Sequence, residues 1–142
     1  MAKKSISVLL VLCLTVTTAL FAALWLRAAT DHREARLLAQ AGAAEAHDRF
    51  VDYLENGEEG DYWYGVASFR SMMQAYHVLT EGTNKAPNYT FLNEVYGTLV
   101  LDPARGQSCA AELVDALVLL AANVEDKNGY LRLSELRNAM QK

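Results

Sequence analysis

ISVLLVLCLTVTTALFAALWL, residues 6–26, carries no charge, no proline and no glycine over 21 positions. A helix rises about 1.5 Å per residue, so roughly 20 apolar residues cross a hydrocarbon layer about 30 Å thick. The stretch therefore predicts a transmembrane helix over 6–26, in contact with membrane lipid and preceded by a short basic flank over 1–5. Lys3 and Lys4 ahead of an apolar run suit both a cleaved signal peptide and an uncleaved signal-anchor. A secretory core of about 7–15 residues would end at a small-x-small site. Here the run continues through Phe21, Leu24, Trp25 and Leu26, and cutting at the best candidate, Thr17-Thr18-Ala19, would leave an apolar stub from Leu20. The signal-anchor is the expectation.

Cys13 follows Leu12, where a lipid-attachment site resembling the bacterial lipobox needs a small residue, so Cys13 reads as filler. Orientation by the excess of Lys and Arg is nearly balanced, with Lys3 and Lys4 before the run and Arg27, Arg33 and Arg36 after it. The short basic start favours a cytoplasmic N-terminus, a single pass through the cell membrane and an extracytoplasmic C-terminal domain. Trp25 stands where interfacial tryptophans usually do.

About 115 residues follow Leu26, enough for one domain. The whole chain has a net charge of −4, but all 17 acidic residues lie beyond Ala28 with only ten of the 13 basic ones, a balance of −7. No Lys/Arg cluster exists to displace counterions from phosphates, so nucleic acid is excluded as a partner. Cys109 is the only cysteine after Leu26, so this part has no disulfide of its own and rests on apolar packing. Asn88-Tyr89-Thr90 matches the N-glycosylation pattern, which has meaning only in a cell with that machinery.

Residues 27–56 are rich in good helix formers and predict a juxtamembrane helix belonging to the bundle formed with residues 57–142. Ala39, Ala43, Ala46, Phe50 and Tyr53/Leu54 recur on one face, a stripe suited either to packing within the domain or to a dimer seam. Asn56-Gly57-Glu58-Glu59-Gly60-Asp61 reads as a break with Asp61 as cap, followed by helical spacing from Tyr62 to Thr80 and a stop at Gly82. Asn88 can cap a shorter helix ending at Asp102-Pro103, after which Arg105 to Ser108 looks loop-like. Ser108 is the expected cap of a strongly amphipathic helix through Val124, and Ser134 of a last short one. No alternating strand pattern appears. The predicted fold class is all-α: the transmembrane helix running into a small antiparallel bundle of four main helices plus a short C-terminal helix.

Residues 124–135 resemble the back half of an EF-hand calcium loop, with Gly129 at its sixth position and Glu135 at its twelfth. Its first position is Val124, which has no oxygen ligand in its side chain, so a capped turn is the competing reading. His32, His47 and His77 are isolated from other ligands at useful spacing, and no motif couples Cys109 to a base. The sequence therefore assigns no catalytic residue, no metal and no cofactor.

Tyr62-Trp63-Tyr64 is the most suggestive cluster. Three consecutive aromatics on a helix point in different directions, so one or two must be exposed, as a stacking or partner surface or as cover for a neighbouring helix. The leading expectation is a membrane-anchored docking or regulatory module without catalytic activity, binding another membrane or envelope protein or self-associating. The alternative is a small sensory or ligand-binding bundle using the helix of Tyr62, Trp63 and Tyr64. An exposed apolar patch favours docking, an enclosed aromatic cavity ligand binding, and converging titratable groups catalysis.

Overall fold

The computed structural model describes residues 2–81, 83 and 86–141, with side chains from Thr15 onward except at 86 and 87. Among these residues the chain is all-helical, without a strand: α1 (Ala2–Asn56), α2 (Glu59–Thr80), α3 (Ala86–Leu101), α4 (Pro103–Ser108), α5 (Ala110–Ala122) and α6 (Lys127–Met140). The chain divides into two compact units, residues 1–34 and 35–142.

In the first unit the backbone is helical from Ala2, and every described side chain, from Thr15 to Glu34, is exposed. The expectation of a transmembrane helix over 6–26 is corrected here: among the described residues no helix is long and apolar enough to cross a membrane. The side chains of residues 6–14, with Lys3, Lys4 and Cys13, lie outside the described part. Residues 15–26 are the part of the apolar run whose side chains are described. Thr15, Thr17 and Thr18 dilute its apolar character, and Arg27, Asp31, Arg33 and Glu34 follow within two turns.

The second unit is a helical bundle. The alanine stripe of α1 is its inner face: Ala35, Ala39, Ala43, Ala46 and Phe50 are buried, while Leu54 at the end of the stripe is exposed. Small side chains there let α2 come close. Gly42 sits so near the backbone of Met72 that an added Cβ would lie 2.8 Å from its amide nitrogen. Phe50 packs edge-on against Tyr62 and fills the space beside Gly65. As α1 runs from Gly42 to Phe50, its partners on α2 run back from Met72 to Tyr62, so the two helices are antiparallel. The stripe is thus covered by the chain's own α2, with Gln40 donating across to the Ala122 carbonyl of α5 at 2.9 Å.

The turn between α1 and α2 is shorter than its composition suggests. Only Gly57 and Glu58 interrupt the helices, and Gly57 supplies the positive φ of 72° that a side chain would resist. Asn56 clamps the turn, accepting from the Glu58 amide and donating to Asp61. Asp61 is not the cap. Glu58 holds that position, and Glu59 and Asp61 lie in the first turn, where the helix end favours negative charge.

The stretch from Arg105 to Ser108, expected as loop, is helical in α4, because Pro103 occupies the start of the helix and the Asp102 carboxylate accepts from the Arg105 amide. Ser108 does not cap α5. Its hydroxyl donates back to the Arg105 carbonyl, and Cys109 takes the capping position without a side-chain bond. Ser134 is likewise replaced as a cap by Asp126, which accepts from the amides of Asn128 and Gly129 and starts α6 eight residues earlier. Since residues 127–135 lie in α6, the calcium-type loop over 124–135 is not formed. Asn88 is internal to α3, and the expected stop at Gly82 lies outside the described residues.

Candidate functional site

The site begins with the aromatic run on α2. Successive helical residues step about 100° around the axis, so Tyr62, Trp63 and Tyr64 diverge. Tyr62 is fully buried, Trp63 is 39% exposed and Tyr64 is 64% exposed. The Tyr62 hydroxyl donates to the Leu99 carbonyl at 2.8 Å, a group near the end of α3 that has no acceptor role within its own helix. Burial, then the neighbouring Tyr53 and Asp102, push the Tyr62 hydroxyl up to a pKa of about 12. Tyr64 turns outward, with the Arg49 guanidinium 5.6 Å from its ring centre.

Trp63 lies between these two environments. Its ring meets Tyr62 edge-on at 5.3 Å, and its indole nitrogen donates to Glu59 at 3.2 Å. The exposed part of the ring opens onto a groove of about 570 Å³ between α2 and α3. Trp63, Val66, Ala67, Arg70, Ser71 and Gln74 form one wall, and Tyr96 and Val100 the other. α3 runs antiparallel to α2 along it: Asn88 near the start of α3 donates to the Tyr76 hydroxyl, and Tyr89 stacks on His77 at 4.5 Å, whereas Leu99 near its end meets Tyr62.

Of the aromatic triplet, only Trp63 enters this groove. Arg70, Gln74 and Tyr96 were not singled out from the sequence. A signal for Arg70 was present: positions three and four residues away on either side are Val66, Ala67, Met73 and Gln74, with no carboxylate among them. By contrast, Arg49 has Asp52 and Arg105 has Asp102 at that spacing. The Ser71 hydroxyl donates to the Ala67 carbonyl, so toward the groove it offers only acceptor capacity.

Two other concavities differ in chemistry. One of about 220 Å³ between α5 and α6 gathers Cys109, Glu112, Asp115, Arg132 and Glu135 with Leu136 and Ala139, and Arg132 pairs with Asp115 at 3.2 Å. No histidine lines it. The other, of about 410 Å³, lies where α3, α4 and α6 meet, beside Glu94, Leu101, Asp102 and Arg105, whose guanidinium donates to the Met140 carbonyl. The histidines stay apart: His32 is exposed, His47 pairs with Asp48, and His77 stacks on Tyr89. Among the described residues no three His, Cys, Asp or Glu side chains are grouped so as to hold a metal ion.

Fold and groove together define the class: a small all-helical bundle with an aromatic-walled groove between two antiparallel helices. No family model, curated protein or solved structure matches the chain.

Proposed function

We propose that residues 35–142 act as a docking module that receives a segment of another protein in the α2–α3 groove, without catalysing a reaction. The observation that carries this reading is the groove itself. It is open to solvent and lined by the partly exposed Trp63, by Tyr96 and by the aliphatic side chains of Val66, Ala67 and Val100. Aromatic side chains that are already half-buried present a large contact area at little entropic cost, which is why such residues anchor protein interfaces. An enclosed cavity would favour a small ligand, and this groove is not enclosed. The concavity between α5 and α6 places no histidine beside the Cys109 thiol, which favours docking over a thiol–imidazole nucleophile.

A photocrosslinking side chain placed at Ala67, which is exposed on the groove wall, tests this. A control goes at Leu131, exposed on α6. The expected outcome is a crosslinked protein, identified by mass spectrometry, that is seen from position 67 and not from position 131. Binding of that purified protein should then fall at least tenfold in Ala67→Glu and be unchanged in Leu131→Glu. Equal crosslinking from both positions, or indifference of binding to Ala67→Glu, rules out the groove.

A further inference from the structure

Resting on that reading, we infer that the occupant of the α2–α3 groove is an amphipathic helical segment of another protein carrying an aspartate or glutamate that meets Arg70. Peptide recognition by addition of a strand needs a free sheet edge, and the described residues contain no strand. A groove between two antiparallel helices instead accepts the ridge of a third. Its α2 wall runs from Trp63 to Gln74, about 16 Å of helix, which matches three turns of a partner.

Charge selects among such partners. The second unit holds 15 acidic and nine basic residues, an excess of carboxylates that occupies almost every arginine. Arg36 pairs with Glu125, Arg49 with Asp52 and Asp61, Arg105 with Asp102, Arg132 with Asp115 and Arg137 with Glu94. Arg70 is the one arginine of this unit with no carboxylate partner among the described residues, and it stands in the groove wall. No Asp or Glu lines the groove with it, whereas carboxylates line both other concavities. Gln74, one turn further along α2, adds amide donors on the same side. A carboxylate lying over Arg70 and Gln74 would therefore meet the guanidinium and the Gln74 amide N–H groups with no like charge lining the groove beside it. Glu59, held by the Trp63 indole, lies at the far end of the wall. Since screening sets in over about 8 Å at physiological salt, the local donors outweigh the acidic charge of the rest of the unit.

The test uses the full chain with Trp25→Phe, which leaves Trp63 as the only tryptophan and its fluorescence as the report from the groove. The probes are three 14-residue amphipathic helical peptides with one leucine ridge, differing only in a Glu, Gln or Lys at the edge of that ridge. The Glu peptide should bind at least threefold more tightly than the Gln peptide and the Lys peptide more weakly than both. Raising the salt concentration should narrow the differences. R70Q should erase the Glu preference while keeping the Gln peptide's affinity, and R70K should restore part of it.

Equal binding of the Glu and Gln peptides would overturn the carboxylate contact and leave groove docking standing. Binding that is insensitive to A67E would overturn the groove reading itself. A Trp63 signal that no peptide changes would overturn a helical occupant. A signal that follows protein concentration without peptide would assign the groove to a second copy of the chain and overturn a foreign partner.

Discussion

At the scale of single residues, Tyr62 does the most to join elements, since its ring meets Phe50, Tyr53 and Trp63 and its hydroxyl ties α2 to the end of α3. Tyr62→Phe leaves the Leu99 carbonyl buried without its donor, a loss of about 1–3 kcal/mol that denaturant titration would read. The same residue sets an alkaline limit. Its proton is held with a pKa of about 12 in the fold against 10.0 for a free tyrosine, so the stabilisation is complete below pH 10 and is lost as the pH rises from there through about 12. Tyr130, raised further by burial and by Tyr76, pulls in the same direction. Unfolding free energy measured from pH 8 to 12 should therefore fall with pH, and less steeply in Tyr62→Phe. An equal slope in both proteins would mean that Tyr62 does not titrate with folding. The sequence showed that the three aromatics must diverge, since that follows from helix geometry alone. It did not show which of them the core would take, because that depends on Phe50 and Leu99, distant in the chain. Arg70 was missed for the opposite reason: its signal was a carboxylate that is not there.

At the scale of the elements, periodicity located the longer helices, whereas the short α4 was read as loop and several helix ends were misread. Spacing of apolar residues reports the buried face directly, and the inner positions of α1, α2 and α5 follow it. Ends depend on which of several polar residues wins the first free amides, and nearby Ser and Asp residues compete for that role. In α6 the winner is Asp126, whose carboxylate accepts from two amides. Asp126→Ala should lower stability by about 1 kcal/mol and fray the first turn, which hydrogen exchange at Asn128 and Gly129 would detect. Substituting Ser134, which lies inside the helix, should not expose those amides. Glycine costs helix propensity, and the structure gives Gly42 a purpose, since it lets α1 lie directly against the α2 backbone at Met72. Gly42→Ala must push against the backbone of Met72, which cannot swing aside as a side chain would. The expected loss is about 1–3 kcal/mol despite alanine's better helix propensity. A stabilised variant would mean that the helices separate freely.

At the scale of the whole molecule, the most conspicuous part of the sequence contributes least to the described core. An apolar run signals burial but does not name what covers it. Every buried hydrophobic residue among those described lies at Ala35 or beyond. The stripe of α1, the aromatic cluster around Tyr62 and the Tyr76–Tyr130 pair, with ring centres 5.3 Å apart, all belong to residues 35–142. The ion pairs that link helices in this unit, Arg36 with Glu125, Arg49 with Asp61, Arg132 with Asp115 and Arg137 with Glu94, also have both partners there. Residues 35–142 should therefore fold alone. Small single domains of this size unfold cooperatively, so the isolated unit should show one sigmoidal thermal transition by circular dichroism. Its midpoint should lie within about 5 °C of the transition in the full chain, a shift corresponding to roughly 1 kcal/mol in a domain of about 100 residues. The described side chains of residues 15–34 are all exposed, so the helical signal of this segment should be lost on heating without a shared midpoint. A gradual melt of the isolated unit, or a midpoint far below that of the full chain, would show that the first 34 residues support the bundle after all.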